Sequence, residues 1–425
     1  LLALVVLVLI VLGFILWVAS RPEKENRGQA KRLVRMRNDT LRASFRQAVE
    51  LIEANIAGRS QRLTLPWVLV LNEGSEPDPL PLGHSGIAQA LSADSTASAS
   101  AQGISWNFFD KGIVINMLGA YLGTPDSDDD TERPWEEFLS LCRDYRPERP
   151  FDSLVVTVPV DLLISSDPDA RLELSRLAKL ANRRLWKAQN RFAMRFSVYV
   201  MVSGCERLPG FAPFARALPE AMRKSMLGWS SPFEITASYQ ENWVDQAVDH
   251  TVQTLSDTSA ELYVLNLEGD SSPYFLLPGQ IDSLRPQLQL YVNELMRPST
   301  YHEPFLMRGI YFSGDAGEAA ERALRVMNDE DEPTQLENSA HAATQAATGT
   351  TNPVANEPST ETPSETPALV PAAQVLPQAR SGADRDGYRL DPAPVFLRDL
   401  FEQKIFAEYG LARPSGSQLT SRPLL

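Results

Sequence analysis

Apolar residues fall along the chain in three spacings. The first is an unbroken run. Residues 1–19 are almost wholly aliphatic, interrupted by Gly13 and free of charge. As a helix rising about 1.5 Å per residue, the run spans roughly 30 Å, the depth of a bilayer core. Trp17 stands near its end, where an indole favours the interface. The run exceeds a typical signal-peptide core and no small-residue cleavage site follows, so residues 1–20 predict a transmembrane helix rather than a cleaved leader. Because the sequence starts with Leu, a longer N-terminus is expected before it.

The second spacing is helical. Leu41, Phe45, Ala48, Val49, Ile52 and Ile56 predict an amphipathic helix over 39–57. The third mixes short apolar, β-branched runs with longer amphipathic stretches, from Leu65 to about Arg325. Runs at 67–71, 112–115, 154–158, 198–202, 262–265 and 308–312 predict buried strands. Helical periodicity appears at 134–144, 168–191 and 283–297. Continuous apolar strands separated by helices predict a mostly parallel sheet covered on both faces, a three-layer α/β domain. Its ligand crevices belong at the carboxyl ends of the strands.

Residues 328–379 contain no Lys or Arg and are rich in Pro, Ser, Thr, Ala and Glu. Such a run cannot offset the entropy of ordering, so it predicts a disordered linker. Beyond Tyr388, Leu397, Leu400, Phe401, Ile405 and Phe406 share a helical face that packs on the α/β domain or meets a partner. The expected organisation is an anchor (1–20), a basic juxtamembrane helical segment (21–62), an α/β domain (63–327), a linker (328–387) and a helical tail (388–425).

Charge changes the picture. The 425 residues carry a formal net charge of −14. That makes general nucleic-acid binding unfavourable, since phosphates are repelled. Yet residues 21–62 hold eleven Lys or Arg against five acids. Basic residues next to an anchor place residues 21–425 in the cytoplasm and suit segment 21–46 to anionic lipid. Cys142 and Cys205 lie far apart, and His84, His250, His302 and His341 are scattered. This excludes a disulfide framework and a four-thiolate zinc site, and argues against histidine-based hydrolysis. No cofactor or metal is expected. Cys205 lacks a neighbouring histidine to activate it, and Tyr199 reads as core or crevice lining. His84 follows Glu76 and Asp78 in the chain and could meet either, but no catalytic role is expected of it.

The first strand end reads Asn72-Glu73-Gly74-Ser75-Glu76-Pro77-Asp78. A phosphate cradle needs several glycines, a Lys and a hydroxyl for Mg²⁺. Here one glycine stands among three acids, and two prolines, Pro77 and Pro79, remove N–H donors. Unit charges about 4 Å apart interact by about 4 kcal/mol at an effective dielectric of 20, so three carboxylates facing a triphosphate oppose binding. After the second strand Asn116 stands where an NTPase needs an Asp on the Mg²⁺ side. After the fourth, Ser203, Gly204 and Glu206 occupy the place of a purine-specificity motif, of which only an acid persists.

With these strand ends in view, the chain resembles the IcmF/TssM family, inner-membrane proteins of type VI secretion systems with relatives in some type IV systems. The resemblance rests on Leu65–Leu71, Leu82–Ile87, Trp106–Ile115, Trp135–Leu139, Tyr145–Pro150, Tyr199–Phe211, Met226–Trp229, Leu306–Ser313, Val395–Phe401 and Ile405–Phe406. It implies a P-loop NTPase-like domain, degenerate here: the family's Lys position falls near Asp78, its Mg²⁺-side Asp on Asn116, and its specificity motif on Ser203–Glu206. No nucleotide-binding or catalytic residue is then expected. The resemblance further implies inner-membrane and baseplate subunits of the secretion machine as partners, and leaves homo-oligomer formation open. A structural, assembly role follows. The alternatives are an NTPase that energises assembly or secretion, and a membrane-attached regulator unrelated to secretion.

Overall fold

The apolar runs become strands that a computed structural model places as follows: β1 (Trp67–Asn72), β2 (Ile104–Phe109), β3 (Gly112–Leu118), β4 (Ser153–Pro159), β5 (Met194–Arg195), β6 (Ser197–Ser203), β7 (Gly228–Ser230), β8 (Leu306–Phe312), β9 (Gly314–Asp315), β10 (Pro394–Val395) and β11 (Arg413–Pro414). The structure describes residues 35–55, 64–74, 76, 78–122, 133–265, 272–298, 303–317 and 392–414. The expected anchor (1–20) and linker (328–387) lie outside the described residues. No described helix is long and apolar enough to cross a membrane.

Seven strands form one sheet in the order β2-β3-β1-β4-β6-β8-β7. The five central strands run parallel, and β2 and β7 close the two edges antiparallel. Helices are α1 (35–55), α2 (Ala93–Ala99), α3 (Gly119–Leu122), α4 (Arg133–Tyr145), α5 (Val160–Ile164), α6 (Pro168–Phe192), α7 (Phe211–Ala217), α8 (Glu220–Lys224), α9 (Asn242–Leu265), α10 (Ser272–Ser283) and α11 (Arg285–Leu295). Asp167 caps α6 by accepting from Asp169 N, and Pro168 occupies its first turn. At its far end Ala193 adopts a left-handed conformation (φ 51°), which turns the chain directly into β5.

The two faces of the sheet are covered differently. Alternate residues such as Leu69, Ile115 and Val200 face α1, α4, α6 and α11 in one large core. There α1 packs Phe45 against both Trp67 and Trp106, with ring centroids 6.1 and 5.6 Å away. The opposite residues, among them Val68, Val70, Val114, Val155 and Met201, meet no crossover helix among the described residues. They pack against Leu80, Leu82 and Ile87 and against Leu397, Leu400, Phe401, Ile405 and Phe406 of the C-terminal segment. The third layer is therefore a loop and a π-helical turn, Leu400–Ile405. The tail packs on the domain, the first of the two outcomes its helical face allowed.

Two short strand pairs pin that tail, β10 against β9 and β11 against β5. Glu408 adds a polar latch. It accepts hydrogen bonds from Tyr199 Oη (2.6 Å), Arg308 Nη2 (2.8 Å) and Arg308 Nε (3.0 Å), and pairs with Lys404 Nζ (2.7 Å). Burial alone would raise this carboxyl, but Arg308, Lys404 and Tyr199 outweigh it and hold the value down at about 2.

One expected strand is corrected. Residues 262–265 end the 24-residue helix α9 and lie outside the sheet. The buried side of α9 is Val244, Val248, Thr251, Leu255, Ser259 and Leu262, at helical spacing. Thr251 and Ser259 hide that stripe from a count of apolar residues.

Candidate functional site

In an open parallel sheet the crevice lies where the chain reverses its direction of growth. Here β3 pairs on one side of β1 and β4 on the other, so the switch lies at the carboxyl ends of β1 and β4. Asn72 stands level with Leu118 and Thr157. The degenerate loop thus occupies the position where a ligand crevice is expected.

The loop closes on itself. Asn72 Oδ1 accepts from Gly74 N (3.0 Å) and from Thr157 Oγ1 (3.3 Å), while its Nδ2 donates to Glu76 O (2.5 Å). One side chain therefore consumes the Gly74 N–H that a phosphate cradle would turn toward its ligand. No helix starts behind the loop to supply further donors. The next helical element is a single 3₁₀ turn, Leu82–His84, too short to concentrate a dipole at the crevice.

Glu73 corrects one expectation about the three acids. It does not face the crevice but turns inward and is buried. Its Oε1 meets Arg184 Nη1 at 2.5 Å, and Arg184 Nη2 donates to Gly119 O at 3.0 Å. Burial pushes the Glu73 carboxyl up and Arg184 pulls it back, with the net change upward. Gly119 permits this arrangement because a Cβ there would lie 2.1 Å from Glu73 Oε2. Arg184, on α6, ties the end of β1 to the start of α3. Trp135 Nε1 donates to Arg184 O at 3.3 Å from α4. Only Glu76 and Asp78 of the three acids reach solvent. Surrounding protein raises both; Arg207 pulls Glu76 back, whereas Glu76 pushes Asp78 further, toward about 7, and solvent access works against both rises. Ser75 lies outside the described residues.

Asn116 does not lie at a strand end. It pairs with Val70 inside the sheet, and β3 continues to Leu118. Ser203 ends β6, and Gly204 takes a left-handed turn (φ 76°) into Cys205–Arg207. Glu206 Oε2 accepts from Asp315 N at 2.9 Å, so it braces the β8–β9 corner. Burial, backed by Glu206, pushes the Cys205 thiol well above its ordinary value, which disfavours a nucleophile. Tyr199 is buried and committed to Glu408. His84 is exposed on its turn. Among the described residues, no cluster of three or more His, Cys, Asp or Glu is arranged to hold a metal. Sequence reasoning missed Arg184 and Gly119. A signal existed, because Arg184 falls on the buried stripe of α6 with Leu177, Ala181 and Ala188.

Fold and site together define a parallel α/β domain with a closed loop at its switch point. The family model for the IcmF-related N-terminal domain matches residues 128–425, and the chain belongs to that family. It is 25% identical over 296 residues to the type VI secretion system component TssM1 of Pseudomonas aeruginosa. That alignment covers 66% of this chain and 26% of TssM1, so the matched part spans about a quarter of that relative. No solved structure matches.

Proposed function

We propose that the chain is a structural and assembly subunit of a type VI secretion machine, held at the bacterial inner membrane with residues 21–425 in the cytoplasm. In this reading its α/β domain is a P-loop-like pseudo-NTPase. It makes contacts to inner-membrane and baseplate subunits and turns over no nucleotide. Family membership and the similarity to TssM1 support the machine. The non-catalytic part rests on one observation: the loop after β1 is held in place by side chains, with Glu73 locked to Arg184 and the Gly74 N–H bound by Asn72. An active NTPase that energises assembly is the second reading. The parallel sheet, with its switch point beside β1, favours that reading.

Calorimetric titration of the full chain with ATP and GTP, each with Mg²⁺, separates the two. The full chain is needed because α1 and 397–406 complete the two cores. No binding heat is expected, and Asp78→Lys does not create any, since the Gly74 N–H stays engaged. Micromolar binding by the native chain overturns the pseudo-enzyme reading.

A further inference from the structure

The helical hairpin α9–α10 packs against α11 and, through α10, against α7. Near the start of α9, Tyr239 Oη donates to Asn293 (2.5 Å), and Arg308, in the first half of β8, donates to Phe233 O. Farther along, Asp245 and Asp249 pair with Arg285 at the head of α11. Next to Arg285 on α11, Gln287 donates to Ser165 O, just past the carboxyl end of β4. Beyond Asp249, α9 continues to Leu265, roughly 24 Å at about 1.5 Å per residue. The returning α10 packs along it, with Ser259 Oγ donating to Tyr274 O.

The end of this arm exposes four large apolar side chains: Tyr263 (49%), Val264 (69%), Phe275 (52%) and Leu276 (55%). Tyr263 and Phe275 meet edge-on at 5.8 Å, so they form one patch. A clustered patch of this kind marks an interaction surface more often than scattered exposed residues do. Its surroundings have one sign of charge. Residues 225–284 carry nine Asp or Glu and no Lys or Arg. That opposes anionic lipid and favours a basic protein segment with apolar residues of its own.

The chain contains such a segment. Residues 21–37 hold seven Lys or Arg and two acids, together with Leu33, Val34 and Met36. It leads into α1, where Arg35 and Met36 are exposed. Its last residue, Arg37, lies at the carboxyl end of the sheet, because Arg37 and Tyr121, just past the end of β3, exchange hydrogen bonds. We propose that the α9–α10 arm docks the basic stretch 21–37 of a second copy of this chain. Tyr263 and Phe275 take its apolar residues, and Asp257 and Glu261 its cations.

The test uses the full chain reconstituted in zwitterionic vesicles, with a photoreactive phenylalanine at position 263 and equal parts ¹⁴N- and ¹⁵N-labelled protein. Mass spectrometry reads the cross-linked peptides. Mixed-isotope cross-links from 263 to residues 21–37 are expected. They should fall about tenfold between 50 and 500 mM salt, and to a similar extent with Asp257→Lys/Glu261→Lys or Phe275→Ser. These positions are exposed, and far-UV circular dichroism of the variants should match the parent. Cross-links only within one copy, only to lipid, or only to other protein regions overturn the proposal. So does a mixed-isotope yield that none of the variants lowers.

Discussion

Removing one member of the buried Glu73–Arg184 pair should cost far more than removing both. The pair is almost fully dehydrated, with side chains 2% and 0% exposed. In Arg184→Met a buried carboxylate loses its cation, and Gly119 O loses its donor. Breaking such a pair typically costs about 3–5 kcal/mol, and the lost hydrogen bond adds about 1 kcal/mol. Glu73→Gln leaves a buried guanidinium with neutral acceptors only, at a cost of about 2–4 kcal/mol. The double variant holds no unpaired charge and should lie within about 2 kcal/mol of the parent. The coupling therefore favours the pair by about 3 kcal/mol or more. Denaturant unfolding followed by tryptophan fluorescence measures it, with Trp135 beside Arg184 as a local reporter. Coupling below about 0.5 kcal/mol would show that the loop is not held by this pair, and the account of its closure would fail.

Three further outcomes follow from contacts described above. Gly119→Ala, whose Cβ would lie 2.1 Å from Glu73 Oε2, should force the pair apart and destabilise by about 2–3 kcal/mol in the same unfolding assay. Glu408 has a carboxyl held below its ordinary 4.5, at about 2, so its contribution is complete above pH 4.5 and is lost as pH falls toward 2. The parent should lose about 3 kcal/mol from this group by pH 2, about 2 kcal/mol of it by pH 3, and Glu408→Gln should remove the latter part of the acid dependence in thermal scans at pH 6 and pH 3. Phe401→Ala, at a fully buried tail position, should cost about 3–5 kcal/mol and raise binding of an apolar dye to the uncovered sheet face.

The parallel strands were legible because both sheet faces are dry. Runs such as Leu154–Val158 and Val198–Val202 need no alternation, and little else in a chain looks like them. Strand β2 left a weaker trace, Ile-Ser-Trp-Asn-Phe, whose alternation before Asp110-Lys111-Gly112 signals an edge hairpin. The reading of 262–265 as a strand failed because aromatic and β-branched residues also suit a helix end that is partly exposed. Asn116 was assigned to a strand end because the apolar run stops before it, whereas backbone pairing carries β3 on to Leu118. The inward turn of Glu73 depends on a partner 111 residues away, a distance over which no local pattern carries information.

The split second core bears on how the chain folds during synthesis. Val68 and Val70 leave the ribosome about 330 residues before the residues that cover them, Phe401 and Ile405. At about 5–20 residues per second, the uncovered face waits roughly 15–65 s. A nascent chain stalled before residue 397 should therefore retain chaperones, and release them only when the closing segment is translated.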